Sequence, residues 1–216
     1  MIVAANMLLY VRNSNRLCMP EDYSALYVPL GIGDVVPEEI DFEIFHENEI
    51  STTSFAAYRD KWLILFFYPA DFSFVCPTEL GELADHYEAF QADGAEIVSV
   101  SSDTAFVHKA WHDQSEMIKK VNYPMAADPA HELSTLFGVL NEDEGTAYRG
   151  TFIISPDGEI VAMEVNSNGI GRCAPETMRK FKAAKYVGSN PANVCPASWN
   201  DGDDTLTPGV DLVGKI

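Results

Sequence analysis

Positive charge is scarce in this chain: 14 lysines and arginines stand against 33 aspartates and glutamates, a formal charge of −19 over 216 residues. A surface of that sign repels phosphate backbones and anionic headgroups, so nucleic acid and membrane surfaces are not expected partners. Long apolar runs are missing as well, and none approaches the roughly 20 residues that a bilayer span requires. Cysteine is sparse: Cys18, Cys76, Cys173 and Cys195 are the whole complement, far below the density of a disulfide-stapled secreted scaffold. A reducing compartment, the cytoplasm, is therefore expected. The opening "MIVAANMLLYVRNSNR" carries an apolar stretch over residues 7–11 but no basic start, and Arg12 follows where a cleavage site would stand. That pattern argues for an N-terminal extension over a secretory signal.

What is present is an ordinary globular composition, 47% hydrophobic and 22% charged, in a length that suits one domain with terminal arms. We expect an extension over 1–30, a domain over 31–187 and a C-terminal arm over 188–216. "WLILFFY" (62–68) is a continuous apolar run, as a strand buried on both faces reads, and belongs at the centre of a sheet. From Cys76 the apolar residues Leu80, Leu83, Ala84, Tyr87 and Phe90 fall at helical spacing, with Glu79 and Glu82 early and Gly94 past the end. A second buried strand is expected over 95–102, and a helix from Thr104 to about Lys119 with Asp103 as its capping residue. A strand end near Ala126 and a short helix in "HELSTLFGV" follow. "YRGTFIISPDGEIVAMEV" reads as a hairpin turning at Pro156, Asp157 and Gly158. A last helix spans 175 to about 187, and the Asn-, Asp-, Gly- and Pro-rich tail is expected to form an arm outside the core. Helices between strands, closed by a hairpin, indicate an α/β sandwich with a mixed central sheet.

The chemistry concentrates at Cys76, in "FFYPADFSFVCPTELGELADHYEAF". A thiol reacts as thiolate, and the free N–H groups and dipole of a helix N-terminus favour that form. Pro69 fixes the chain after the strand, Ser73 places a hydroxyl three residues before the sulfur, and Pro77 suits a first helical turn. On position alone, Cys76 reads equally as a small buried hydrophobe. The run Cys76-Pro77-Thr78-Glu79 stands where a dithiol oxidoreductase has Cys-x-x-Cys, but Glu79 replaces the second thiol. Oxidation of Cys76 must then yield a sulfenic acid that waits for a distant partner, and attack on a peroxide O–O bond gives that product.

"FFYPADFSFVCPTEL", with its Pro-x-x-x-Ser-x-x-Cys pattern, resembles the active site of the typical two-cysteine peroxiredoxins. "HKAWH", "DEGTAYRGTFIISPDG", "GIGR", "VCPASW" and "DLVGKI" extend the likeness, in order, from about residue 31 to the C-terminus, toward the bacterial alkyl hydroperoxide reductase peroxidase subunit. The resemblance implies a thioredoxin-like fold and a thiol-dependent peroxidase acting on hydrogen peroxide and organic hydroperoxides, with no cofactor or metal. It implies Cys76 as the peroxidatic cysteine and Cys195 as the resolving one, joined as an intersubunit disulfide that thioredoxin or a flavoprotein disulfide reductase restores. Ser73 and Arg149 would contact the peroxide, Pro69 would shield the sulfur, and Glu79 and Arg172 would orient the group from behind. The implied assembly is an antiparallel homodimer, five of which form a decameric ring. The chain has no Gly-Gly-Leu-Gly segment before Pro129 and no Tyr-Phe tail, features that in this family slow local unfolding, so resistance to overoxidation is implied.

Cys18 and Cys173 match no family role and are expected to be spectators. His108 and His112 have i, i+4 metal spacing but no third ligand, so hydrogen bonding or packing around Trp111 is expected instead. Two other function classes compete: a holdase chaperone, which a Cys76→Ser variant would retain, and a thiol–disulfide oxidoreductase, against which Glu79 argues.

Overall fold

The computed structural model describes residues 28–216. Cys18 and nearly all of the expected N-terminal extension lie outside them. Strand β1 (Asp41–His46) turns tightly into β2 (Glu49–Ser54); then come β3 (Trp62–Phe67), α1 (Cys76–Ala92), β4 (Ala95–Ser101), α2 (Ala105–Gln114) and β5 (Met125–Ala127). The short α3 (Glu132–Leu136) and the paired β6 (Leu140–Asn141) and β7 (Thr146–Ala147) lead to β8 (Arg149–Ile154), β9 (Ile160–Asn166) and α4 (Ala174–Ser189). The main sheet has the order β2-β1-β5-β4-β3-β8-β9. Strands β3, β4 and β5 run parallel, whereas β1, β2, β8 and β9 pair antiparallel with their neighbours. This is the expected mixed sheet with β3 inside it, a thioredoxin-like α/β sandwich.

Side chains on a strand point alternately to opposite faces, and β3 supplies both cores. Ile64, Phe66 and Tyr68 join Cys76, Leu80, Phe90 and Phe181 on the side of α1 and α4. Leu63, Leu65 and Phe67 join Val98, Val100, Phe137 and Phe152 on the other. That double burial is why the run is apolar without interruption. The β8–β9 hairpin turns where expected, with Gly158 at φ +81. A Cβ there would sit 1.2 Å from Arg59 Nη1 and would displace that guanidinium, but it is the positive φ that favours glycine.

Three features depart from the sequence reading. The β1–β2 hairpin was not among the expected elements; its two-residue turn, Glu47–Asn48, has φ of +49 and +65 without the glycine that usually announces such a turn. Helix α2 is capped by Thr104, whose side chain accepts from the Val107 N–H, and ends at Gln114. Asp103 instead accepts from the Ser101 hydroxyl and the Asp71 amide. Lastly, the C-terminal arm is not wholly outside the core. Trp199 is only 2% exposed, with its ring 5.3 Å from that of Tyr186 on α4 and its carbonyl accepting from Arg179. Among the described residues no helix is long and apolar enough to cross a membrane.

Candidate active site

Cys76 opens α1. Its helix start has no side-chain cap, but Pro77 occupies a first-turn position, where the missing N–H costs nothing. Thr78 Oγ1 donates to the Val75 carbonyl at 2.6 Å and tightens the turn. The thiol is free and fully buried, packed in the α1 face of the core.

Glu79 lies one helical turn further on and is the hub of the site. Its Oε2 accepts from Arg149 Nη1 at 2.6 Å and Arg172 Nη2 at 3.2 Å. Its Oε1 accepts from Arg172 Nε at 2.9 Å and from the Arg172 amide at 2.7 Å. Arg149, the first residue of β8, presents the same Nη1 to Cys76 Sγ at 3.4 Å. The other edge of its guanidinium is fixed by the Asn168 carbonyl, which accepts from Nε and Nη2 at 3.0 and 2.8 Å. Arg172 donates Nη1 to the Gly150 carbonyl and to Thr151 Oγ1 and lies over the Phe66 ring, 3.3 Å from its centroid. Burial pulls the Arg172 guanidinium below the usual arginine value, and the Glu79 carboxylate pulls it back. Two cations and one carboxylate withdrawn from water hold together only because nearly every donor has a partner. The arrangement aims a fixed positive charge at a buried sulfur.

The segment before α4 and the first residue of that helix clasp the beginning of α1 from outside. The Ala174 amide donates to Glu82 at 2.8 Å, and a Cβ on Gly171 would lie 3.2 Å from Val75 Cγ1. Unwinding the first turn of α1 therefore breaks the Glu79 bonds to Arg149 and Arg172 together, while the Glu82–Ala174 contact lies one turn further along.

Ser73 is half-buried and donates to the Ala70 carbonyl at 2.8 Å, which leaves its lone pairs available as acceptors. Pro69 is half-buried directly after Tyr68. Cys195 is not fully exposed: its Sγ lies half-buried 3.9 Å from the Ala183 carbonyl of α4. Burial pushes its thiol up, against the pull of the Arg179 guanidinium. Cys173 is exposed at the N-cap of α4 and caps nothing with its side chain. His108 hydrogen-bonds through both ring nitrogens, and the His112 ring packs edge-on to Phe45. The structure thus brings Cys76, Glu79, Arg149 and Arg172 into one cluster. Asn168 was missed, because a carbonyl acceptor has no side-chain signature; Thr151 and Phe66 read only as strand residues.

A family model described as the AhpC/TSA family matches residues 32–163, more than half of the chain. The chain belongs to that family. Among curated proteins, the alkyl hydroperoxide reductase C of Ferdinandcohnia aciditolerans is 55% identical over 168 residues, covering 78% of this chain and 98% of the relative. The alkyl hydroperoxide reductase C of Escherichia coli is 55% identical over 156 residues, 72% of this chain and 83% of that protein. The crystal structure of Enterococcus faecalis AhpC superposes with a TM-score of 0.74 at 47% identity, over 76% of this chain and 98% of that one. A reduced 2-Cys peroxiredoxin from Plasmodium vivax gives 0.80 at 26% identity, over 85% and 96%. As a member of the AhpC/TSA family the chain is a peroxiredoxin, an oxidoreductase of the thiol-peroxidase class.

Proposed function

We propose that the chain reduces hydrogen peroxide and organic hydroperoxides through Cys76, with Cys195 of a second copy as resolving thiol. The observation that carries this reading is the guanidinium of Arg149, 3.4 Å from the buried Cys76 sulfur and locked by Glu79. It stabilises the thiolate and then the charge that develops on the peroxide oxygens during in-line attack. Ser73 Oγ accepts the hydroperoxide O–H, and Pro69 screens the sulfur from bulk water.

The sulfur attacks the near oxygen, the O–O bond breaks, and the departing alkoxide takes a proton, so Cys76–S⁻, ROOH and H⁺ become Cys76–SOH and ROH. The Cys195 thiol then displaces water: Cys76–SOH and HS–Cys195 become the disulfide and H₂O. Cys76 is fully buried while Cys195 rests against α4, so this second step requires the first turn of α1 to unwind and the arm to leave. Pairing across subunits suits a thiol carried on an arm, in an antiparallel homodimer that joins four others in a decameric ring. An external dithiol, from thioredoxin or a flavoprotein disulfide reductase in the cytoplasm, returns both cysteines to thiols.

A non-reducing gel after one equivalent of peroxide tests the cycle. A disulfide-linked dimer is expected in the parent and absent in Cys76→Ser and Cys195→Ser. A parent that stays monomeric on the gel refutes the two-cysteine mechanism.

A further inference from the structure

The loop that delivers Cys76 to α1 is tied down by groups that the proposed cycle does not use. Asp71, 7% exposed, is at their centre. Its amide donates to Asp103 Oδ2 at 2.8 Å, and the same oxygen accepts from Ser101 Oγ at the end of β4. Its Oδ1 accepts from the Tyr68 hydroxyl at 2.7 Å, and its Oδ2 lies 2.8 Å from Nδ1 of His108 on α2. His108 is fully buried, and its Nε2 is 3.1 Å from the Ala126 carbonyl of β5. A carbonyl can only accept, so Nε2 carries a hydrogen and the ring bridges β5 to the loop. Tyr68 after β3 and His108 on α2 therefore meet the Asp71 carboxylate directly, Asp103 after β4 holds its amide, and β5 joins through His108.

The next residue shows what this anchoring holds in place. Phe72 has φ +51 and is 52% exposed, a left-handed conformation that a bulky side chain adopts only when its surroundings impose it. Ser73 closes the same turn through its bond to the Ala70 carbonyl. Three residues later the chain enters α1 at Cys76. A strained loop anchored on one side and continuous with the reactive turn on the other will relax when the anchor weakens.

We propose that Asp71, held by His108, Tyr68 and Asp103, is a positioning residue that sets the balance between the folded Cys76 turn and its unwound form. It thereby sets the fate of the oxidised sulfur. The folded turn keeps Cys76–SO⁻ beside Arg149, where a second hydroperoxide converts it to Cys76–SO₂⁻ with release of ROH. The unwound turn exposes Cys76–SOH to the Cys195 thiol, giving disulfide and water. Loosening the anchor shifts the partition toward disulfide. This inference rests on the roles given above to Cys76 and Cys195.

The test uses the reduced full-length chain with excess tert-butyl hydroperoxide, reading the ratio of Cys76 sulfinic acid to Cys76–Cys195 disulfide by intact mass. Asp71→Ala is expected to lower that ratio about 30-fold, the factor that two net hydrogen bonds contribute, and Tyr68→Phe about fivefold in the same direction. Hydrogen exchange should accelerate over residues 72–79 and stay unchanged in β3 and β4. A merely structural role would reduce the total oxidised yield in both products alike and leave the ratio untouched. Tyr68→Phe, which removes one oxygen, decides the matter if Asp71→Ala does not fold. An unchanged ratio in the folded variants, with a parent that forms both products, overturns the anchor alone. A parent that forms neither product overturns the assignment of Cys76 and the anchor with it.

Discussion

Replacing Glu79 by glutamine is the sharpest perturbation of the site, since it removes one charge and little volume. The Glu79 carboxylate accepts four hydrogen bonds from Arg149 and Arg172, and the side chains of all three residues are at most 4% exposed. A glutamine oxygen can keep some of those bonds, but its NH₂ group then points a donor at a guanidinium. Two adjacent buried cations are left without their counterion, and breaking such a cluster by removing one partner costs about 3–5 kcal/mol. Arg149 is also freed from the contact that aims Nη1 at the sulfur; losing one preorganised donor of this kind lowers the rate about 10²–10³-fold. Urea unfolding at neutral pH and stopped-flow measurement of kcat/KM for hydrogen peroxide read the two effects separately. A variant within about 1 kcal/mol of the parent in stability and within threefold in kcat/KM would refute the view of Glu79 as the hub, because among the described residues Glu79 is the carboxylate paired with both arginines.

Arg149→Lys keeps the charge but loses the fork that reaches Sγ, Glu79 and Asn168 at once; kcat/KM should fall about 10²-fold, and a loss under threefold would place transition-state stabilisation elsewhere. The raised Cys195 thiol predicts that disulfide formation after a single turnover accelerates as pH rises through and above the usual thiol range near 8.5. The docked arm holds its proton more tightly than a free one, so docking is at full strength below that range and weakens as pH rises through it, which favours resolution again. A rate of disulfide formation that is flat from pH 7 to 9 would contradict this. Trp199→Ala should release the arm from Tyr186 and Arg179, at a local cost of about 3–5 kcal/mol. Rapid proteolysis beyond residue 189 with β3 and β4 intact is the expected result, and a protease pattern identical to the parent's would count against it.

The central strand and the helix that Cys76 opens were legible in the sequence for physical reasons. A strand covered on both faces must be apolar at consecutive positions, as residues 63–68 are, and a helix with one buried face must repeat every three to four residues. The hairpin at Gly158 was equally plain, because its turn has the residues such turns need. The β1–β2 hairpin was hidden because Glu47 and Asn48 take a left-handed turn that their identities do not demand. The cap of α2 was misplaced by one residue because Asp103 and Thr104 are both good caps, and Asp71 claims the first. Trp199 lies in a stretch whose composition reads as solvated, and only a contact with a helix over ten residues earlier buries it.

By itself the sequence determined that one cysteine stands at a strand-to-helix junction with glutamate in place of a nearby second thiol, which restricts its oxidation product to one that needs a remote partner. That restriction is local and covalent, so a string of residues is enough to impose it. Tertiary structure alone decided that Arg149 and Arg172, 73 and 96 positions beyond Cys76 in the chain, meet on a single carboxylate behind the sulfur. It also decided that the Asn168 carbonyl aims one of them and that Asp71 anchors the loop before it. Buried polar groups take whichever partners the fold brings within about 3 Å, and side-chain type and spacing along the chain do not encode that proximity.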